Sequence, residues 1–219
     1  MRAECERLAR ELEAEHSVAA ADALGELGPK GACAVERLRR ATRDPDDSVQ
    51  IAAVEALGKI GPAAVAAAPD IKEAFFRYGH IRRAAREALA KLGPGVIPEI
   101  LPWLDMELDQ YGQDTKQTSP DGAYILGKVG APAVPALIEA LKMPQRRQGA
   151  AWALGDMGSA AAPAVPALLA ACERESEADV RFVMIEALGK IGSPANAAIP
   201  FLERLVKELA LSLSRDPTL

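Results

Sequence analysis

The imidazoles and thiols of this 219-residue chain are few and scattered: His16, His80, Cys5, Cys33 and Cys172. A zinc site needs three or four such ligands at short spacing, and an activated thiol needs a base beside it. Neither pattern is present, and Cys172 lies in a helical pattern with no neighbouring histidine. The glycines do not group into a phosphate-cradling loop. The sequence therefore offers no catalytic residues, no cofactor site and no metal site. Its chemistry is that of recognition. Large aromatic side chains stand at Trp103, Tyr111, Tyr124, Trp152 and Phe182 in a chain that is only 4% aromatic, and carboxylates and lysines recur at fixed intervals. Aromatic residues of this kind are common anchors of protein–protein contacts.

The elements that position these residues are spelled out by a phrase that occurs six times, Ala-Leu-Gly-x-x-Gly or a near variant. It ends at Gly28, Gly61, Gly93, Gly130, Gly158 and Gly192, a spacing of roughly 28 to 37 residues, which is the period of a helical repeat array. Val49, Ala52, Ala53, Ala56, Leu57 and Ile60 recur at helical spacing and predict a buried stripe. The final glycine is invariant among the copies, as expected of a residue with positive φ after a helix end. The first glycine becomes Ala90 in the third copy, so that position requires small size and not a special backbone angle. Pro69, Pro98, Pro135, Pro166 and Pro200 each precede an apolar periodic run and mark helix starts, with Glu36 in the same place in the second unit. Each unit is thus a helical hairpin, turned by segments such as Asp44-Pro45-Asp46-Asp47, whose acids can cap the helix that follows.

With these motifs in view, the chain resembles the HEAT family, in the short form named after phycobilisome lyases. Asp179-Val180-Arg181 through Gly192, and Val49-Gln50 through Gly61, match most of that repeat. The arginine of the motif is filled unevenly, by Ser17, Gln50, Arg82, Ser119, Arg147 and Arg181. The resemblance implies an all-α fold, an α-solenoid of six HEAT-like hairpins over 1–28, 29–61, 62–93, 94–130, 131–158 and 159–192. A capping helix is expected at 195–213 and a loose tail at 214–219. It implies first helices near 3–15, 31–43, 67–78, 96–107, 132–143 and 164–175 on the convex side. Second helices near 17–27, 47–60, 80–92, 118–129, 145–157 and 178–191 would line the concave side, where partners of such proteins usually bind.

On that inner surface one register position holds Asp22, Glu55, Glu87, Tyr124, Trp152 and Glu186. One turn earlier stand Val18, Ile51, Arg83, Pro120, Gln148 and Phe182, and beyond the first glycine Glu26, Lys59, Lys91, Lys128, Asp156 and Lys190. The expected partner site combines Tyr124, Trp152 and Phe182 with Trp103, Tyr111 and the polar stretch Glu107–Ser119, which breaks the repeat period. Glu55, Glu87, Glu186, Lys91 and Lys128 complete it. Catalytic members of HEAT-like families set the alternatives. An iron site of repeated His-Glu pairs is excluded by the two lone histidines. A bilin-lyase-like enzyme or small-molecule carrier rests on fold analogy alone. A DNA glycosylase of this fold would need a basic groove, against a net charge of -5 and a pI near 5.2.

The expected function is therefore a non-catalytic scaffold or adaptor that binds a protein partner, with no cofactor, no metal and no membrane association, and with nucleic acid disfavoured by the charge. The three cysteines are odd in number, far apart and inside helical patterns. They read as small apolar residues of a reducing compartment, and a cytoplasmic setting follows. The charged N-terminus is not a signal peptide, no stretch reads as long enough to span a membrane, and the alanine-, arginine- and proline-rich composition points to a bacterial source.

Overall fold

A computed structural model describes residues 2–77, 79–105, 120–204 and 207. Every regular element among them is helical. The first hairpin is α1 (Arg2–Glu15) and α2 (Val18–Glu26), and the second is α3 (Val35–Ala41) and α4 (Asp47–Ile60). The third is α5 (Ala68–Arg77) and α6 (Arg82–Lys91), and the fourth pairs the short α7 (Ile97–Ile100) with α8 (Pro120–Val129). Then follow α9 (Val134–Ala140) with α10 (Pro144–Asp156), and α11 (Val165–Arg174) with α12 (Ala178–Ile191). Residues 199–204 are again helical. The expected capping helix at 195–213 and tail at 214–219 lie largely outside the described residues.

Packing divides the chain into two compact units, Met1–Trp103 with Pro120–Val129, and Leu104–Ser119 with Gly130–Leu219. In the first, α2 packs on α4, α4 on α6 and α6 on α8, while α1, α3 and α5 each back the second helix of their own hairpin. In the second, α10 packs on α12, with α9 and α11 behind them. The leucine of the repeated phrase forms the spine of each core: Leu24, Leu57, Leu89, Leu126, Leu154 and Leu188 are at most 2% exposed. Each such burial is worth about 1.5–3 kcal/mol. Within each unit a repeat buries its apolar face against its neighbours, so stability is a sum of local interfaces.

Both glycines of the phrase have the roles expected of them. The final one has φ between 56° and 76° in all six copies. The first lies where successive second helices touch: a Cβ on Gly25 would stand 2.9 Å from the Cα of Ala56, and one on Gly58 would stand 2.8 Å from the Cα of Ala88. The prolines fall in the first turn of α7, α9 and α11, as expected. What the periodicity did not reveal is that the stretch between capping glycine and proline is a 3-10 helix, as in Gly28–Ala34, Gly61–Ala67 and Gly158–Ala164. Proline one residue after the glycine starts two of these turns with φ already fixed. The helix expected at 96–107 is α7 followed by a 3-10 segment, Leu101–Asp105, because Pro102 has no amide to continue an α-helix. The run Asp47–Arg77 is long and apolar enough to pass as a membrane-crossing helix by length and composition, where the sequence reading saw none. It is not one straight helix: Gly61, at φ 72°, and Pro62 separate α4 from α5.

The uneven arginine of the motif has a structural task. Gln50 Nε2 donates to the carbonyl of Asp44 at 2.5 Å, Arg147 Nε to that of Leu141 at 3.1 Å, and Arg181 Nε to that of Glu175 at 3.1 Å. In each case the acceptor lies six residues earlier: Leu141 and Glu175 are the C-caps of α9 and α11, whose last carbonyls lack partners within the helix, and Asp44 lies in the turn after α3. Glutamine performs this task as arginine does, which explains the tolerance at that position.

One expectation is corrected. Cys5 and Cys33 form a disulfide, with their Cα atoms 6.5 Å apart. It joins α1 to the 3-10 segment Gly28–Ala34. Their separation of 28 positions made the pair look remote, but it amounts to one repeat, and the return of the chain brings the cysteines together. The pairing removes the argument from unpaired thiols for a reducing compartment. Cys172 is free and buried, and burial pushes its thiol pKa up.

Candidate functional site

The second helices carry most of the residues expected to take part in recognition, and each unit presents its own set. In the first unit, Glu55, Lys59, Arg83, Glu87 and Lys91 surround a hollow of about 210 Å³ between α4 and α6, floored by Gly58, Ala84 and Ala88. The small residues of the repeated phrase create this hollow by letting the helices meet without large side chains above the contact. A wider, open depression of about 600 Å³ adjoins it and shares Gly58, Lys59 and Lys91.

Ion pairing across the hollow is selective. Lys59 Nζ lies 2.7 Å from Glu26 Oε1, which holds the Glu26 carboxyl below its usual range and raises Lys59. Tyr124 donates its hydroxyl to Glu87 Oε1 at 2.7 Å. Arg86 stands over the Tyr124 ring at 4.4 Å and pairs with Asp121 at 3.1 Å, while Lys128 Nζ lies 5.4 Å from the same ring. The hydrogen bond to Glu87, then burial, raises the Tyr124 pKa, and the nearby Arg86 charge offsets part of the rise. Glu55, Arg83 and Lys91 are exposed and make no ion pair among the described residues.

In the second unit, Trp152 is half-buried on α10 and Phe182 is 65% exposed on the neighbouring α12. Glu186 is exposed and pairs with Lys190 at 3.0 Å, and Lys190 also reaches Asp156 at 3.6 Å. The hydrogen bond that Lys190 donates to Glu186 leads the rise in the Lys190 pKa.

The expected site residues thus fall into two sets. Glu55, Glu87, Lys91, Lys128 and Tyr124 share the first unit, and Trp152, Phe182 and Glu186 the second. Trp103 leaves the site: it is 1% exposed, with its ring tilted against those of Phe75 at 4.8 Å and Phe76 at 4.9 Å. Its expected place in a partner site is corrected, because the indole lies in the core of the first unit. Tyr111 and the stretch 107–119 lie outside the described residues. Sequence reasoning gave no part to Arg86 and Asp121, which fasten Tyr124 in place. Their signal was the spacing of Arg82 and Arg86, one helical turn apart and facing the first turn of the next second helix.

Among the described residues, no group of three or more His, Cys, Asp or Glu side chains could hold a metal ion. The nearest approach to a catalytic pair is His16 Nδ1, 2.5 Å from Asp44 Oδ2. Asp44 is committed to the turn, since its other oxygen accepts the amide of Asp46 at 2.9 Å.

This geometry, with stacked hairpins in each unit and invariant capping glycines, defines a helical-repeat protein. The model of the HEAT-repeat family matches residues 4–90 and 134–211, and the chain belongs to that family. Two crystal structures of engineered proteins from a structural-genomics consortium are similar to it. The first has 21% identity over 87% of this chain and 97% of that one, with a TM-score of 0.45. The second has 18% identity and a TM-score of 0.47 over 85% of this chain, which spans only 57% of that protein. The search of curated proteins found no match. HEAT solenoids are generally non-catalytic scaffolds for protein interaction, and that coarse reading fits the fold seen here.

Proposed function

We propose that this chain is a non-catalytic scaffold that takes a protein partner on the face of its second helices. The observation that carries the reading is the contrast between the two kinds of helix. On the first helices, several charges are tied in pairs between repeats, as in Arg39–Asp70 at 2.6 Å, Arg43–Glu73 at 2.6 Å and Lys72–Glu99 at 3.3 Å. On the second helices, Glu55, Arg83 and Lys91 remain unpaired among the described residues and Phe182 stands in solvent. Unpaired charge gives a partner surface its orientation, and an exposed aromatic anchor gives it affinity. The hollow between α4 and α6 is small and lined by charge, whereas sites for cofactors are larger and mostly apolar. This favours a scaffold over a lyase or small-molecule carrier.

The test is photo-crosslinking in extracts of the source organism. A benzoylphenylalanine placed at Glu55 or at Phe182 is expected to give discrete protein adducts, and the same group at Glu36 or Glu139 on the first helices is not. The adducts should disappear when Tyr124, Trp152 and the remaining Phe182 are replaced by alanine. Adducts confined to Glu36 and Glu139, or none at any position, would sink the reading.

A further inference from the structure

The first unit has a cationic cluster that its own acids do not neutralise. Along α6, Arg83, Glu87 and Lys91 follow at intervals of one turn. A glutamate four residues before a lysine normally pairs with it. Here Glu87 is drawn aside: its Oε1 accepts the Tyr124 hydroxyl at 2.7 Å and lies 3.9 Å from Arg86. Lys91 is left without a carboxylate among the described residues, and so is Arg83. The same register position on α8 is Lys128, whose Nζ lies 5.4 Å from the Tyr124 ring and makes no ion pair among the described residues.

Elsewhere this position alternates in sign. Glu26 pairs with Lys59 and Asp156 with Lys190 across successive repeats. From α4 to α8 it reads Lys59, Lys91, Lys128, and only the first is compensated. Neighbouring helices lie about 8–10 Å apart, so Lys91 and Lys128 repel unless an outside anion separates them. In a chain of net charge -5 this local excess is a departure from the rest of the sequence.

We propose that Arg83, Lys91 and Lys128 form a docking site for an acidic segment of a protein partner, with glutamate or aspartate side chains seated over α6 and α8. The assignment rests on the scaffold reading above and names the partner chemistry of one part of that face. Charge complementarity selects a peptide over nucleic acid. The hollow interleaves Glu55 and Glu87 with its cations, and a continuous phosphate backbone would meet those carboxylates, whereas carboxylates spaced along a peptide can avoid them. The apolar floor of Gly58, Ala84 and Ala88 accommodates the methylene groups of such side chains.

The experiment uses the full chain and a fluorescein-labelled eight-residue peptide of alternating Glu and Ala. A Lys–Ala peptide of the same length and an eight-nucleotide thymidine oligonucleotide serve as comparisons, all read by fluorescence anisotropy at low salt. The Glu–Ala peptide is expected to bind, to weaken as salt rises, and to lose at least tenfold in affinity in K91E/K128E. The control R10E/K30E carries the same change in net charge on exposed cations elsewhere, and should bind within twofold of the parent. Circular dichroism confirms that both variants stay helical. No binding of the Glu–Ala peptide, equal loss in both variants, or tighter binding of the oligonucleotide at the same residues would overturn the proposal. If crosslinking from Glu55 or Phe182 succeeds while this peptide fails, the scaffold reading stands and the acidic-segment assignment alone falls.

Discussion

Arg147, on α10, reaches the Glu175 carboxylate of the next hairpin at 2.5 Å while its Nε holds the carbonyl of Leu141. One side chain thereby ties the end of α9, the start of α10 and the turn before α12. Glu175 is buried, and burial alone would push its carboxyl up. The amides of Glu177 and Ser176 and the Arg147 charge more than offset this and hold it below the usual carboxylate range. A depressed folded-state pKa contributes stability that is present above the unfolded value and lost as pH falls through the folded one. The second unit should therefore weaken in acid below the ordinary glutamate range. Arg147→Ala leaves a buried carboxylate unpaired and should cost about 3 kcal/mol at neutral pH. Urea unfolding of parent and variant as a function of pH checks both. A variant that unfolds at the parent's midpoint at neutral pH would show that the tie is not stabilising.

Two glycines at the same register position should respond oppositely to one added methyl group. A Cβ at Gly58 meets the Ala88 Cα at 2.8 Å, whereas one at Gly189 meets nothing within 4 Å. Backbone against backbone cannot be relieved by a rotamer change, so Gly58→Ala should destabilise by about 1–3 kcal/mol. Gly189→Ala removes only the entropic handicap of glycine in a helix and should stabilise by about 0.5–1 kcal/mol. Thermal unfolding of the two variants decides, and the same sign for both would refute the close-approach account.

These glycines also show how far the sequence could be read. Copies of the phrase within one chain separate a glycine needed for its φ from one needed for its size, because Ala90 replaces the second kind and nothing replaces the first. Helix starts at prolines were legible for the same reason: they depend on local backbone chemistry. The disulfide, the burial of Trp103 and the diversion of Glu87 by Tyr124 were not legible. Each depends on which neighbour the next repeat delivers, and periodicity gives the level of a residue on its helix without saying which side chains at that level will pair.

The Cys5–Cys33 bond staples α1 to the 3-10 segment Gly28–Ala34. Closing a loop of 28 residues contributes about 3–4 kcal/mol by the chain-entropy account, and repeats coupled only to neighbours keep that gain local. Alkylation of the denatured, unreduced protein should modify only Cys172, and prior reduction should expose all three thiols. Amide exchange after reduction should quicken in α1 and in Gly28–Ala34 and stay unchanged in α10 and α12. Three alkylated cysteines without reductant would eliminate the staple.

Tyr124 links stability to recognition. Its hydroxyl, bonded to Glu87 and partly buried, titrates above the ordinary tyrosine range. A raised folded-state pKa means that the contribution is complete below the unfolded tyrosine value and is lost as pH rises through the folded one. Absorbance at 295 nm should show a late tyrosinate component that Tyr124→Phe removes, with a loss of about 1 kcal/mol in stability at neutral pH for the deleted hydrogen bond. The same variant releases Glu87, which then stands one turn before Lys91 in the favourable order for an ion pair. Lys91 would be neutralised from within, and the Glu–Ala peptide should bind more weakly to Tyr124→Phe although no cation has been removed. An unchanged peptide affinity alongside the lost tyrosinate component would show that Glu87 does not govern Lys91.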